Sequence, residues 1–65
     1  MNDAAQTITP REKEVMHLLS TGLTYEKIAR QLGVSHQTVK MHLKNIYRKL
    51  GVQNKIEALN KAKLI

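Results

Sequence analysis

The chain has no cysteine, no tryptophan and no phenylalanine, and its only aromatic side chains are Tyr25 and Tyr47. Without cysteine there is no disulfide framework and no zinc site that depends on thiolates. Apolar runs are short, as at Val15-Met16 and Leu18-Leu19, so no stretch reads as a bilayer span. The start, Met1 to Gln6, has neither a charged n-region nor an apolar h-region, so no secretory leader is expected. A basic helix lying on lipid would carry Trp, Phe or Leu at the interface, which this composition does not favour. Sequence-specific RNA readers mostly stack bases on exposed aromatics, and those too are scarce. At 65 residues the chain is expected to bury only about 60% of its unfolded surface, which disfavours a deep catalytic cleft.

Catalytic and metal chemistry find little support. The three histidines are His17, His36 and His42. His36 and His42 are six residues apart and fall on different sides of one helix, so they do not form an i, i+4 metal pair. His17 follows Glu14 by three residues, a common surface pairing. No glycine-rich phosphate loop and no nucleophile with a neighbouring base is present. The reading is that the chain is not an enzyme and takes no cofactor or metal.

Negative charge is scarce where positive charge is abundant. Residues 1–35 hold Arg11, Lys13, Lys27 and Arg30 against Asp3, Glu12, Glu14 and Glu26. Residues 36–65 hold seven cations against Glu57 alone, so the whole net charge of +6 lies in the second half. A segregated positive field suits a polyanion. The alternative is a small helical protein-interaction module with a basic surface.

Residues 1–7 are small and polar, and read as a tail or linker remnant; residues 8–65 read as one folded domain. Four helices are expected and no strand, because β-branched residues never alternate with polar ones. Thr9-Pro10-Arg11-Glu12 is a capping box with proline at the first helical position, and Gly22 closes that helix. Thr24 opens a second helix carrying Ile28, Ala29 and Leu32, and Gly33 ends it. Ser35 caps a third that runs to Leu50, before Gly51. Asn54 starts a fourth, with Ile56, Ala58, Leu59 and Ala62. Met16 and Tyr47 read as packing residues, whereas Arg11, Glu12, Lys13 and Glu14 read as a solvated face with helix-spaced ion pairs.

Leu32-Gly33-Val34-Ser35 is the short glycine-containing connection that a helix-turn-helix uses. Around the third helix, Val39, Leu43, Ile46 and Leu50 share an arc of about 60°. Lys40, Lys44, Gln37, Arg48 and Met41 share another arc of about 100° on the far side. Lysine can donate to guanine, glutamine can bond adenine, and an apolar group can meet a thymine methyl, so this mixture suits base edges in the major groove. Ser35, His36, Gln37 and Thr38 at the helix start suit positioning on phosphate, as do Thr24 and Lys27 on the second helix. Arg48 and Lys49 complete the backbone-contact candidates.

Four motifs carry a resemblance: Ile8-Thr9-Pro10-Arg11-Glu12-Lys13-Glu14-Val15, Glu26-Lys27-Ile28-Ala29, Thr38-Val39-Lys40-Met41-His42-Leu43 and Lys49-Leu50-Gly51-Val52. In this order and spacing they resemble the LuxR-type (FixJ/NarL-type) DNA-binding domain over residues 8 to about 62. The resemblance implies an all-α, four-helix helix-turn-helix domain of the C-terminal effector type, binding double-stranded DNA in bacterial transcription control. It implies base reading by Lys40, Met41 and Lys44. It also implies homodimerisation through the fourth helix on adjacent half-sites, with Ile56, Leu59, Ala62 and Lys63 as interface candidates. An N-terminal receiver or ligand-binding domain and a cytoplasmic, nucleoid-associated location follow from the same likeness. The sequence departs from the family at Ile8 (usually Leu), at Tyr25 (usually Asn) and at Lys55-Ile56 (usually Arg-Thr). The last change adds an apolar group that belongs either to the core or to the dimer interface.

Overall fold

A computed structural model describes residues 7–62 of the chain, with α1 at Pro10–Ser20, α2 at Tyr25–Leu32, α3 at His36–Leu50 and α4 at Lys55–Ala62. Each helix begins where a side chain can satisfy an otherwise unpaired first-turn amide. Thr9 Oγ1 accepts from the Glu12 amide at 3.1 Å, and the Thr9 amide donates to Glu12 Oε1 at 2.9 Å, completing the capping box. Thr24 Oγ1 accepts from the Lys27 amide at 3.2 Å, and Ser35 Oγ from the Thr38 amide at 3.0 Å. Asn54 Oδ1 accepts from the Glu57 amide at 2.9 Å, while the Glu57 carboxylate reaches back to the Gln53 amide at 2.9 Å.

α2 and α3 both stop in the same way. Gly33 and Gly51 adopt left-handed φ values of 71° and 69°. The following amides fold back: Val34 N donates to Ala29 O at 2.9 Å and Val52 N to Tyr47 O at 3.0 Å. With the shorter-range bonds from Gly33 to Arg30 and from Gly51 to Arg48, both ends are Schellman motifs. Val34 and Val52 then turn onto the core. A Cβ at position 33 would meet no heavy atom within 4 Å, so the requirement for glycine lies in the backbone alone. Gly33→Ala should therefore destabilise the domain by about 1–2 kcal/mol, measurable by urea unfolding, with Gly33→Asn losing less.

The arc expected to face inward does so. Val39, Leu43, Ile46 and Leu50 of α3 are buried against Val15, Met16 and Leu19 of α1, Ile28 and Ala29 of α2, and Ala58 of α4. α3 packs on all three other helices and is the spine of the domain. That leaves its opposite face outward along its length. Among the described residues there is no strand, and no helix is long and apolar enough to cross a membrane. The fold is all-α, as the punctuation of the sequence indicated.

Met16 is buried and Tyr47 packs on the core edge, in line with their reading as packing residues. The Tyr47 hydroxyl is shut away from solvent, and among the described residues no partner meets it at hydrogen-bond geometry. Burial first, and nearby Tyr25 second, push this phenol up to about 12, so it stays neutral across the physiological range.

One expectation needs correction. Glu12 is not part of a solvated face: it is 4% exposed, whereas Arg11, Lys13 and Glu14 are exposed. Of the two places left open for Ile56, the structure excludes the core. That residue is 71% exposed, and Ala58, the smaller residue, takes the buried position on α4.

Candidate nucleic-acid interface

Because the buried arc fixes the rotation of α3, its outward residues are determined too. Gln37, Lys40, Met41, Lys44 and Arg48 are all exposed. The first four line one shallow open depression along the helix. Met41 is 59% exposed, and among the described residues only Ile56 is another large hydrophobic so exposed. An apolar side chain standing in water amid cations gains nothing from the monomer's own packing.

The two helix starts are drawn together by an aromatic contact. Tyr25 opens α2 and His36 opens α3, and their rings lie 5.9 Å apart at 53°. This sets the start of α2 beside the first turn of α3. There Ser35 and Thr38 share a hydrogen bond between hydroxyl oxygens 2.9 Å apart. The free amides at a helix start and the positive end of its dipole favour an anion at such a place. Further along, Arg48 donates to Asn45 Oδ1 at 3.3 Å, which lays the guanidinium along the helix while it remains exposed.

Charge is unopposed over this surface. Arg11 pairs with Glu14 and Arg30 with Glu26, each at 3.6 Å on exposed helix faces, where such pairs contribute little. Among the described residues, no carboxylate lies within ion-pair distance of Lys27, Lys40, Lys44 or Arg48.

Lys49 is the one sequence candidate that must be withdrawn from the phosphate set. Its ammonium donates to both Glu12 oxygens, at 2.8 and 3.0 Å, and to the Thr7 carbonyl at 3.1 Å. The side chains are only 13% and 6% exposed. Lys49 thus joins the last turn of α3 to the first turn of α1 and to the chain just before it. Burial raises the Glu12 carboxyl, but hydrogen bonds from Lys49 and Thr9, with the Lys49 charge, outweigh it and hold the group below 4.5. Sequence reasoning missed this pair. The available signal was that Lys49 flanks the buried arc of α3, where a long aliphatic stem can run inward.

On α4, Ile56 is exposed and Leu59 is half-buried against the core. Lys63 and the side chain of Ala62 lie outside the described residues.

Comparison with known proteins decides the family. The model for bacterial regulatory proteins of the luxR family matches residues 6–62. The chain belongs to that family. It is 46% identical over 61 residues to the transcriptional activator protein CarR of Pectobacterium carotovorum, covering 94% of this chain and 25% of that protein. It is 43% identical over 56 residues to the nitrate/nitrite response regulator protein NarP of Escherichia coli, covering 86% of this chain and 26% of that protein. It is 45% identical over 58 residues to the probable transcriptional regulatory protein SgaR of Hyphomicrobium methylovorum, covering 89% of this chain and 28% of that protein. The chain thus spans about a quarter of the length of these curated relatives. The match and the turn at Gly33 together make the chain a helix-turn-helix domain of a family of bacterial regulatory proteins.

Proposed function

We propose that α3 enters the major groove of double-stranded DNA and reads base edges through Lys40, Met41 and Lys44. The observation that carries this reading is the outward arc of α3: exposed, rich in donors and, among the described residues, free of opposing carboxylate, on a helix whose reverse side is the core. A helix with its side chains is about 10–12 Å across, and the groove is about 12 Å wide. Gln37 extends the reading strip toward the start of α3. Thr24, Lys27, Ser35, His36, Thr38 and Arg48 hold phosphates on either side and fix the register, contributing affinity without sequence information.

The domain pairs with a second copy through α4 when two half-sites are occupied. Ile56 supports this, because an isoleucine exposed to this extent on a short helix suits a partner surface. Ile56→Glu should abolish cooperative occupancy of paired half-sites while leaving affinity for a single half-site unchanged, as gel-shift titrations on the two duplexes would reveal. The chain acts as the DNA-binding part of a larger cytoplasmic regulator, in which a receiver or ligand-binding domain controls pairing. The folded unit starts near Ile8.

A random-sequence duplex selection on the 65-residue chain tests the reading as a whole. Enrichment of one short motif, recurring at a fixed spacing, is expected. Recovery of unenriched sequence, with affinity that depends on salt alone, would reduce the surface to a phosphate binder.

A further inference from the structure

We infer that Met41 is an oxidation site through which a peroxide weakens DNA binding: its thioether becomes a sulfoxide in the free chain, and reduction of the sulfoxide restores the interface. The inference rests on the proposed placement of α3 against DNA and goes further by giving that surface a redox control.

The composition and the burial pattern single out one sulfur. Cysteine is absent, so the sulfur chemistry of the chain rests with Met1, Met16 and Met41. Met16 is 7% exposed within the core, and Met1 lies outside the described residues. Met41 is 59% exposed on α3. An oxidant meets Met41 directly, whereas it reaches Met16 only when the core opens.

The surroundings suit the reaction. Met41 shares one shallow depression with Gln37, Lys40 and Lys44. Gln37 precedes it by four residues and Lys44 follows it by three, the spacings that bring side chains together on a helix. The sulfur attacks one oxygen of hydrogen peroxide, so that an S–O bond forms, the O–O bond breaks and the sulfur gives up two electrons. The proton on the transferred oxygen passes to the departing hydroxide, which leaves as water. The Lys44 ammonium, one turn on, can donate to that oxygen as its charge develops.

The product is unlike the reactant. A thioether is an apolar group and at best a weak acceptor, whereas its sulfoxide is polar and chiral. The Gln37 amide and the Lys44 ammonium stand one turn away on either side as donors to the new oxygen. Lys44 has no carboxylate partner among the described residues to compete for it. Oxidation therefore takes an apolar contact from the DNA-facing strip and draws two of its donors onto the protein itself. The core is untouched, since Met41 takes no part in it.

The test uses the 65-residue chain, hydrogen peroxide and the duplex recovered by random-sequence selection. Peptide mass mapping should show Met41 converted at least about tenfold faster than Met16. The chain oxidised at Met41 should bind the duplex about tenfold more weakly at an unchanged thermal midpoint, and reductases for both sulfoxide epimers should restore the affinity. Met41→Leu, whatever its own affinity, should bind equally before and after treatment; it keeps Met1 and Met16, so damage at those sulfurs would show in it. Bound duplex should shield Met41 from the peroxide.

Oxidation of Met41 no faster than Met16, full affinity in the oxidised chain, or the same loss in Met41→Leu each overturns the inference. With Met41 still shielded by duplex, the α3 placement survives that result. Oxidation of Met41 at one rate with and without saturating duplex overturns the placement, and the inference with it.

Discussion

Lys49→Ala should lower the stability of the domain by about 3 kcal/mol at neutral pH, far more than any exposed charge removal. An ion pair in water contributes about 0–1 kcal/mol, and Arg11–Glu14 and Arg30–Glu26 belong to that class. Glu12 and Lys49 do not. Both carboxylate oxygens meet the ammonium within 3.0 Å, and the pair is nearly closed to solvent. Removing Lys49 leaves a carboxylate in a poor solvent, with the Thr9 amide and hydroxyl as its remaining partners. Total stability for a chain of this size is roughly 3–10 kcal/mol, so the loss would be a large part of it.

The double change Glu12→Gln with Lys49→Met should recover most of that loss, since glutamine still accepts from Thr9 and no unpaired charge remains. The pH dependence has a definite sign. The folded Glu12 carboxyl titrates below 4.5, so its stabilisation is complete above 4.5 and disappears as the pH falls through the lower folded value. Urea unfolding between neutral and acid pH should show that slope in the unchanged chain and a shallower one in the double variant. A loss below 1 kcal/mol for Lys49→Ala would place the pair among the exposed ones.

The second large effect concerns DNA. Lys40→Ala and Lys44→Ala should each weaken binding to the selected duplex by about 1–3 kcal/mol, and binding to random duplex by much less. Neither side chain contributes to the core, so unfolding midpoints should stay within error of the unchanged chain. Lys27→Ala should behave differently, weakening both duplexes alike, because a phosphate contact carries no sequence information. Equal losses on both DNAs for Lys40 and Lys44 would assign them to phosphate as well.

How much of this could be read in advance depends on the range of the interaction. Caps at Thr9, Thr24, Ser35 and Asn54 were legible because donor and acceptor lie three residues apart. The rotation of α3 was legible because four apolar residues share one narrow arc, and burying them leaves Lys40, Met41 and Lys44 no other direction. Glu12–Lys49 was not legible, because 37 residues separate the partners and each had an ordinary local explanation. Glu12 read as half of a capping box, and it is that, but its second oxygen and its burial depend on the far end of α3. On α4, eight residues offered two choices of buried face. Ala58, not Ile56, takes the buried place where α4 packs on α1 and α3. Tyr25 stood out as a departure from the family. Its ring contact with His36 required the turn at Gly33 to be built first.

The central claim is that the outward arc of α3 touches bases while its reverse face holds the domain together. Intermolecular proton contacts, measured by NMR on the 65-residue chain bound to its selected duplex, address this directly. The account predicts contacts from Lys40, Met41 and Lys44 side chains to major-groove base protons, and none from Val39, Leu43, Ile46 or Leu50. Contacts arising instead from α1 or α4, with the α3 arc unperturbed by DNA, would contradict it.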